Sequence, residues 1–153
     1  MSAAIDEAYK NVKKPAGGPF GACIVKNGRI ISSARNTVLK KDATCHAEIN
    51  AIRKASRITG SYDLSGCEVY STTEPCPMCF SAIHWAKIST IYYGTTIKDV
   101  KKLGFNELSV SNRTLKKISS SSVRLFPGTE KQGCLKLLQD LSLIHISEPT
   151  RPY

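Results

Sequence analysis

Two short motifs constrain this chain more than any other part of its sequence. One is His-Ala-Glu at 46–48, and the other is Pro-Cys-Pro-Met-Cys at 75–79. An imidazole and two thiols are ligands that zinc prefers, and three protein ligands leave a tetrahedral zinc one open position, as catalytic sites require. Water in that position becomes acidic near neutral pH, and a neighbouring carboxylate can carry its proton. The fold is therefore expected to bring His46, Cys76 and Cys79 around one zinc ion, with Glu48 as the catalytic carboxylate.

A structural zinc site is the simpler alternative, but it normally closes with four Cys or His ligands. The remaining cysteines offer no convincing fourth ligand. Cys45 directly precedes His46, where the chain can hardly aim both side chains at one metal. Cys23, Cys67 and Cys134 stand singly among apolar or small residues, as buried thiols often do. A non-catalytic zinc-binding module therefore remains the less favoured interpretation.

The composition indicates one soluble globular domain. The chain has 153 residues, 41% of them hydrophobic and 22% charged, and no window approaches the ~20 apolar residues of a membrane span. The N-terminus lacks the basic-then-apolar pattern of a secretory signal. We therefore expect a cytoplasmic protein with reduced thiols and no membrane partner.

The net charge of +10 is the compositional outlier. Such a charge favours an RNA partner or the steering of an anionic substrate. The lysines, however, are scattered in pairs rather than concentrated in one run. Charge alone therefore leaves a nucleic-acid partner as an open alternative.

The last stretch, 141–153, resembles a translated sequencing-library transposase adapter. On this interpretation the zinc-dependent domain occupies 1–140, and 141–153 is a non-native tail that is excluded from fold reasoning. His145 is accordingly not expected to act as a ligand or base.

The hydrophobic pattern alternates between helices and strands, and Asn27-Gly28 is a strong signal for a two-residue hairpin turn. This order predicts an α/β fold, a three-layer α/β/α sandwich with five strands. Both ligand groups fall at predicted helix starts, where the helix dipole favours thiolates and main-chain N–H groups near Ala47 and Cys76 can anchor a substrate. The predicted helices are 2–14, 46–56, 75–86, 97–103 and 130–140, and the predicted strands are 20–26, 29–35, 67–73, 89–94 and 123–126.

The spacing H-x-E…P-C-x-x-C is the signature of zinc-dependent nucleobase deaminases, and the chain resembles the cytidine deaminase-like superfamily from about 17 to 105. Within it the likeness is greatest to bacterial guanine deaminases and related purine nucleoside deaminases. The resemblance implies a mixed five-stranded sheet and a zinc-dependent enzyme that hydrolyses a purine base or nucleoside, guanine to xanthine foremost, with release of ammonia. The residues that carry it are 18–22, Asn36, 46–48, 51–55, 74–79, 82–86 and 104–107.

The resemblance also implies roles for individual residues. Asn36 would hydrogen-bond the purine edge, while Phe20 and Trp85 would form walls around the base. Glu107 would act as a second proton shuttle near the exocyclic amine, although the family usually has Asp there. The resemblance further implies a homodimer with an exchanged C-terminal segment.

The bacterial tRNA adenosine deaminases share the His-Ala-Glu and Pro-Cys-x-x-Cys elements, and the positive charge suits an RNA substrate. The residues at 83–86 and 104–107 resemble the free-base group more closely. A small purine or nucleoside is therefore the favoured substrate, and tRNA is the alternative.

Overall fold

The computed structural model describes residues 1–147, with side chains described up to Leu141. The predicted non-native tail, 141–153, therefore lies partly outside the described residues, since 148–153 are not among them. Within them, helix α6 continues through Ser147, and the side chain of Leu141 is buried against the domain.

The described residues form one five-stranded mixed sheet with helices on both faces, which confirms the predicted α/β/α sandwich. Strand order across the sheet is β2-β1-β3-β4-β5. Strand β1 is antiparallel to β2 and β3, whereas β3, β4 and β5 are mutually parallel. The strands are β1 (Gly21–Lys26), β2 (Arg29–Arg35), β3 (Cys67–Thr73), β4 (Thr90–Thr95) and β5 (Arg124–Pro127). The helices are α1 (Ser2–Lys13), α2 (Ala47–Thr59), α3 (Pro77–Trp85), α4 (Ile97–Lys102), α5 (Asn112–Ser119) and α6 (Lys131–Ser147).

Two layers of helices cover the sheet. Helices α1 and α6 contact each other on one face, while α2, α3 and α5 lie on the other. The main core is on the α2–α3 face, where Ile24, Val69 and Ile91 from three adjacent strands are fully buried. This packing sets the first turns of α2 and α3 side by side at one end of the parallel strands.

The hairpin between β1 and β2 follows the predicted turn. Asn27 and Gly28 both have positive φ, at 50° and 74°, which is the requirement of a type I′ turn whose twist matches the flanking strands. Asn tolerates this conformation better than most residues and Gly adopts it without cost.

Helix α3 begins at Pro77 rather than at the predicted Pro75. A residue that precedes proline is held in extended conformation, and Cys76 has φ −66° and ψ 168°. Cys76 is therefore the N-cap, and Pro77 occupies the first helical position, where its missing N–H costs nothing.

Helix α5 was missed by the sequence prediction, which assigned no element between 103 and 123. It has only eight residues, and Leu115 and Ile118, three positions apart, are its only large apolar side chains, too short a pattern to have been recognised. The signal that was present is Ser111, whose side chain accepts the main-chain N–H of Thr114 at 3.1 Å as an N-cap.

No helix in the described part of the chain is both long and apolar enough to cross a bilayer.

Candidate active site

Three metal-ligand side chains meet where α2 and α3 begin. His46 is the N-cap of α2, Cys76 is the N-cap of α3, and Cys79 lies in the first turn of α3. The Nδ1 atom of His46 lies 3.6 Å from each of the two sulfurs, and the three donor atoms lie within 4.8 Å of one another. Among the described residues, this group contains these three ligands and no fourth.

The spacing of these atoms fits tetrahedral zinc. Bond lengths of about 2.3 Å to sulfur and about 2.05 Å to nitrogen, at a tetrahedral angle, place the nitrogen about 3.6 Å from each sulfur. The observed distances are 3.6 Å. The two sulfurs and one imidazole also match the ligand types of this metal.

The two thiols differ in acidity because a hydrogen bond joins their side chains. A hydrogen bond from the Cys79 side chain, with help from His46, lowers the pKa of Cys76 to about 4 despite its burial. The same hydrogen bond, together with burial, raises the pKa of Cys79 well above the ordinary thiol value. The hydrogen bond to Cys76 also raises the pKa of His46. Cys76 is therefore ionised at neutral pH, whereas Cys79 keeps its proton until a bound cation displaces it.

Glu48 lies beside this cluster but is not one of its ligands. Its side chain is 6% exposed in the first turn of α2. The hydroxyl of Ser71 at the end of β3 donates to Glu48 Oε1 at 2.6 Å and also lies 2.6 Å from the carbonyl of Thr73. A short bond of this kind to a carboxylate is charge-assisted and fixes its orientation. Glu48 is therefore held in place by a residue that the sequence analysis did not single out.

A cavity of about 320 Å³ opens over the cluster. This volume lies at the lower end of the range of about 300–1,000 Å³ that is typical of small-molecule sites. Its lining brings together the three kinds of side chain that the sequence assigned to the site, namely metal ligands, carboxylates and base contacts. They include Phe20, Asn36, His46, Ala47, Glu48, Cys76 and Glu107.

Asn36 and Phe20 line the same cavity. The Oδ1 atom of Asn36 accepts the N–H of Val38 at 3.1 Å, which fixes the orientation of its buried amide. A Cβ at Gly17 would lie 2.0 Å from that oxygen, so only glycine allows this close approach. Phe20 packs edge-on against Phe105, with ring centroids 5.8 Å apart.

Glu107 lies on the segment between α4 and α5 and faces the same cavity. Burial, together with the negative charges of Cys76 and Glu48, raises the pKa of its carboxyl to about 7. Glu107 can therefore hold or release a proton near neutral pH, as a general acid or base must.

Trp85 does not reach the cavity, contrary to the expectation that it walls the base. It is 74% exposed at the end of α3 and borders a separate depression together with Lys87 and Arg124. The reason is helical geometry: Ile83 is buried in the core, and a residue two positions later points about 200° away from it.

Three further side chains of the site were not assigned roles by the sequence analysis. Ser71 and Glu74 belong to a continuous buried stretch at the end of β3, where the regular alternation of buried and exposed residues stops. Asn112 is fully buried at the start of α5, the helix that was missed. For Ser71 and Glu74 the signal in the sequence was a polar run just before the Pro-Cys motif, and for Asn112 it was the preceding N-cap Ser111. Only the fold gives these side chains their partners.

Comparison with known proteins identifies the family. Residues 1–95 match the family model described as the cytidine and deoxycytidylate deaminase zinc-binding region. This span exceeds half of the chain and includes His46, Glu48, Cys76 and Cys79. The chain therefore belongs to this family of zinc-binding deaminases, as the motifs predicted, and it is a hydrolytic deaminase.

Individual relatives act on two kinds of substrate. The chain is 43% identical to guanine deaminase from Bacillus subtilis over 108 residues, 70% of this chain and 69% of the relative. The solved structure of that enzyme has a TM-score of 0.66 and matches 69% of this chain and 68% of its own. A tRNA-specific adenosine deaminase from Aquifex aeolicus is 46% identical over 81 residues, 52% of this chain and 54% of the relative. A solved tRNA deaminase for A-to-I editing at the wobble position is 29% identical with a TM-score of 0.78, covering 90% of this chain and 96% of that one.

Proposed function

We propose that this chain hydrolyses the amine of a purine base, guanine first and a purine nucleoside second, in a zinc-dependent reaction. Guanine would give xanthine and ammonia. The observation that carries the proposal is the cavity of about 320 Å³ in which Glu48 and Glu107 both face the His46–Cys76–Cys79 group. The likeness to the Bacillus enzyme supports guanine as the substrate.

Zinc is the metal we assign to this group. His46 Nδ1 and the sulfurs of Cys76 and Cys79 would hold it, because their ligand types and 3.6 Å spacings fit its tetrahedral geometry. When bound there, zinc lowers the pKa of water towards neutrality and so makes water a usable nucleophile at neutral pH.

Glu48 carries the protons of the reaction. The carboxylate accepts a proton from the attacking water and returns it to the ring nitrogen next to the carbon that is attacked. It lies beside the metal ligands without being one of them, and the hydrogen bond from Ser71 holds it there.

Loss of the amine needs a further proton. The C–N bond to the exocyclic amine breaks once that nitrogen is protonated, and ammonia leaves. Glu48 accepts the hydroxyl proton as the oxygen from water becomes a carbonyl, and proton exchange with solvent then restores both carboxyl groups. Glu107 is suited to donate this proton, since its pKa of about 7 keeps a large fraction protonated at neutral pH.

The remaining cavity residues orient the base. The amide of Asn36 can hydrogen-bond the purine edge, and the main-chain N–H groups near Ala47 and Cys76 lie at helix starts, where they favour electron-rich oxygen or nitrogen atoms. The ring of Phe20 provides an apolar wall that excludes water from one side of the cavity.

The test is ammonia release by purified, zinc-loaded protein from guanine, guanosine, cytosine and a tRNA anticodon stem-loop. We expect the highest kcat/KM with guanine and none above background in Glu48→Ala. Silence on the free base and nucleosides, with inosine formed in the stem-loop, would overturn the free-base proposal.

The second candidate is a tRNA adenosine deaminase. The net charge of +10 favours it, because phosphate contacts by Lys and Arg drive RNA binding. Such an enzyme would bind the stem-loop with an affinity that falls steeply as salt rises, and a guanine enzyme would not.

We further infer a cytoplasmic homodimer. All six cysteines are free thiols in the structure, which suits a reducing compartment, and the 74% exposed Trp85 offers apolar surface for a subunit contact. A monomeric mass by light scattering at micromolar concentration would contradict the dimer.

A further inference from the structure

Glu74 is a buried carboxylate that the reaction itself does not use. It directly precedes the Pro-Cys motif, is 6% exposed, and enters none of the ion pairs of the described residues. A buried charge needs compensation by hydrogen bonds or by an opposite charge. Its position beside the metal-ligand turn makes the source of that compensation important.

Two main-chain N–H groups satisfy the carboxylate of Glu74. The N–H of Ile97 donates to Oε1 at 3.2 Å, and the N–H of Asn112 donates to Oε2 at 2.8 Å. Ile97 and Asn112 are the first residues of α4 and α5. Helix-start N–H groups have no partner within their own helix, and the helix dipole favours a negative charge there. One carboxylate therefore joins the starts of two helices.

The chain between these two helix starts includes Glu107. Residues 105–111 have no regular secondary structure. Their main-chain hydrogen bonds include one to α4, from Phe105 N to Val100 O at 3.3 Å, and one within the segment, from Val110 N to Leu108 O at 2.9 Å. Side-chain contacts also hold the segment, namely the ring of Phe105 against Phe20 and the bond from Lys101 to Ser109. Glu74 is bonded to Asn112, which directly follows the segment, and to Ile97, the first residue of the helix α4 that precedes it.

The same network reaches the metal ligands. The amide Nδ2 of Asn112 donates to the carbonyl of Pro75 at 2.6 Å, and Pro75 directly precedes the ligand Cys76. The main-chain N–H of Glu74 itself donates to Thr95 at the end of β4, at 2.8 Å. The segment that bears Glu107 and the turn that bears Cys76 are thus tied to one another through Glu74 and Asn112.

We propose that Glu74 is a positioning residue that sets Glu107 over the metal-ligand turn by binding the helix starts of α4 and α5. The role of Glu107 in this statement rests on the proposed deamination. Glu74 also lines the cavity, but both of its carboxylate oxygens are bonded to the main-chain N–H groups of Ile97 and Asn112, and it acts through them.

Glu74→Gln is the first test, because it keeps the shape of the side chain. The amide has a single acceptor oxygen, so one of the two N–H groups loses its partner and faces an NH2 donor. We expect kcat per zinc-loaded molecule to fall about tenfold, with KM and zinc content little changed. Glu68→Gln is the matched control, since it removes a half-buried carboxylate from the other end of β3. An unchanged kcat in Glu74→Gln, or an equal loss in the control, would overturn the proposal.

A double-mutant cycle tests whether Glu74 acts through Glu107. In a Glu107→Gln background the effect of Glu74→Gln on kcat should vanish, because the group being positioned is already absent. Two effects that simply multiply would show that Glu74 supports the site by another route and would refute the proposed role.

Ile97→Pro gives an independent variant in case Glu74→Gln folds poorly. Proline is tolerated at the first helical position, and Thr96 before it already has ψ of 165°, as the residue before a proline should. The substitution removes one N–H donor to Glu74 and leaves the carboxylate intact. Ile97→Val controls for the shortened side chain. Equal kcat in these two variants would contradict the proposal.

Amide hydrogen exchange separates failure of this proposal from failure of the proposed function. Ammonia release by the unmodified chain tests the function alone. Exchange tests the positioning without any substrate: Glu74→Gln should accelerate exchange about tenfold or more at 105–108 and leave α1 and β1 unchanged. Uniform acceleration over the whole chain would show a merely structural role and overturn the inference.

Discussion

Replacement of Ser71 by alanine should slow catalysis strongly while leaving the metal in place. The hydroxyl is 1% exposed and lies 2.6 Å from Glu48 Oε1, within the range of about 2.5–2.7 Å for charge-assisted bonds to a carboxylate. Such a bond contributes about 1.5–3 kcal/mol. If that free energy orients Glu48 in the transition state, its loss lowers kcat about 10- to 150-fold.

The hydroxyl also explains why a serine suits this position. It has one proton and two lone pairs, and it lies equally close, at 2.6 Å, to Glu48 and to the carbonyl of Thr73. Ser71 can donate to Glu48 when that carboxylate is ionised. It can accept from Glu48 and donate to Thr73 when Glu48 holds a proton. Alanine can do neither, so both halves of the proton transfer should slow.

The assay is ammonia release from guanine under single-turnover conditions, with zinc content and thermal unfolding measured on the same samples. Ser32→Ala is the matched control, because Ser32 is 7% exposed and donates to the carbonyl of Ala51 at 2.8 Å, away from the cavity. Ser32→Ala should lose about 0.5–1.5 kcal/mol of stability and Ser71→Ala about 1.5–3 kcal/mol, but only Ser71→Ala should lose kcat. A rate within about twofold of the unmodified chain, or an equal loss in Ser32→Ala, would show that Ser71 does not orient Glu48 for catalysis.

Three further results are expected. Glu48→Ala should keep stoichiometric zinc by elemental analysis and lose turnover by about 10²-fold or more; loss of the metal would show that Glu48 is a ligand. Cys79→Ala should lose zinc and unfold at a lower temperature, since metal binding is coupled to folding; unchanged zinc content would count against the ligand assignment. The acid form of Glu107, whose pKa burial raises to about 7, is present below that pH and lost above it. The kcat/KM of the unmodified protein should therefore fall as pH rises through about 7, and Glu107→Gln should lack that limb of the profile; an identical pH profile in the two proteins would contradict the role of Glu107.

The sequence predicted the metal-ligand group because its two motifs together match a known signature. Cys76 and Cys79 are fixed relative to one another by a single helix start, whereas His46 meets them only through the packing of α2 against α3. The strand and helix order followed locally from apolar periodicity, and the Asn27-Gly28 turn required only two residues.

The parts that the sequence did not yield depend on contacts between distant elements. The hydroxyl of Ser71 becomes meaningful only when β3 lies next to the first turn of α2, which places it against Glu48. Glu74 finds its partners on α4 and α5, up to 38 residues further along the chain. Trp85 is a different case. The family resemblance placed it beside the substrate, whereas its position on α3 exposes it at the surface.

Zinc X-ray absorption spectroscopy of the purified protein measures the proposed metal coordination itself. We expect one zinc per chain with two sulfur ligands at about 2.3 Å and two light-atom ligands at about 2.0–2.1 Å, one an imidazole nitrogen and the other exchangeable solvent. A protein that binds no zinc, or a shell closed by four protein ligands, would contradict this coordination.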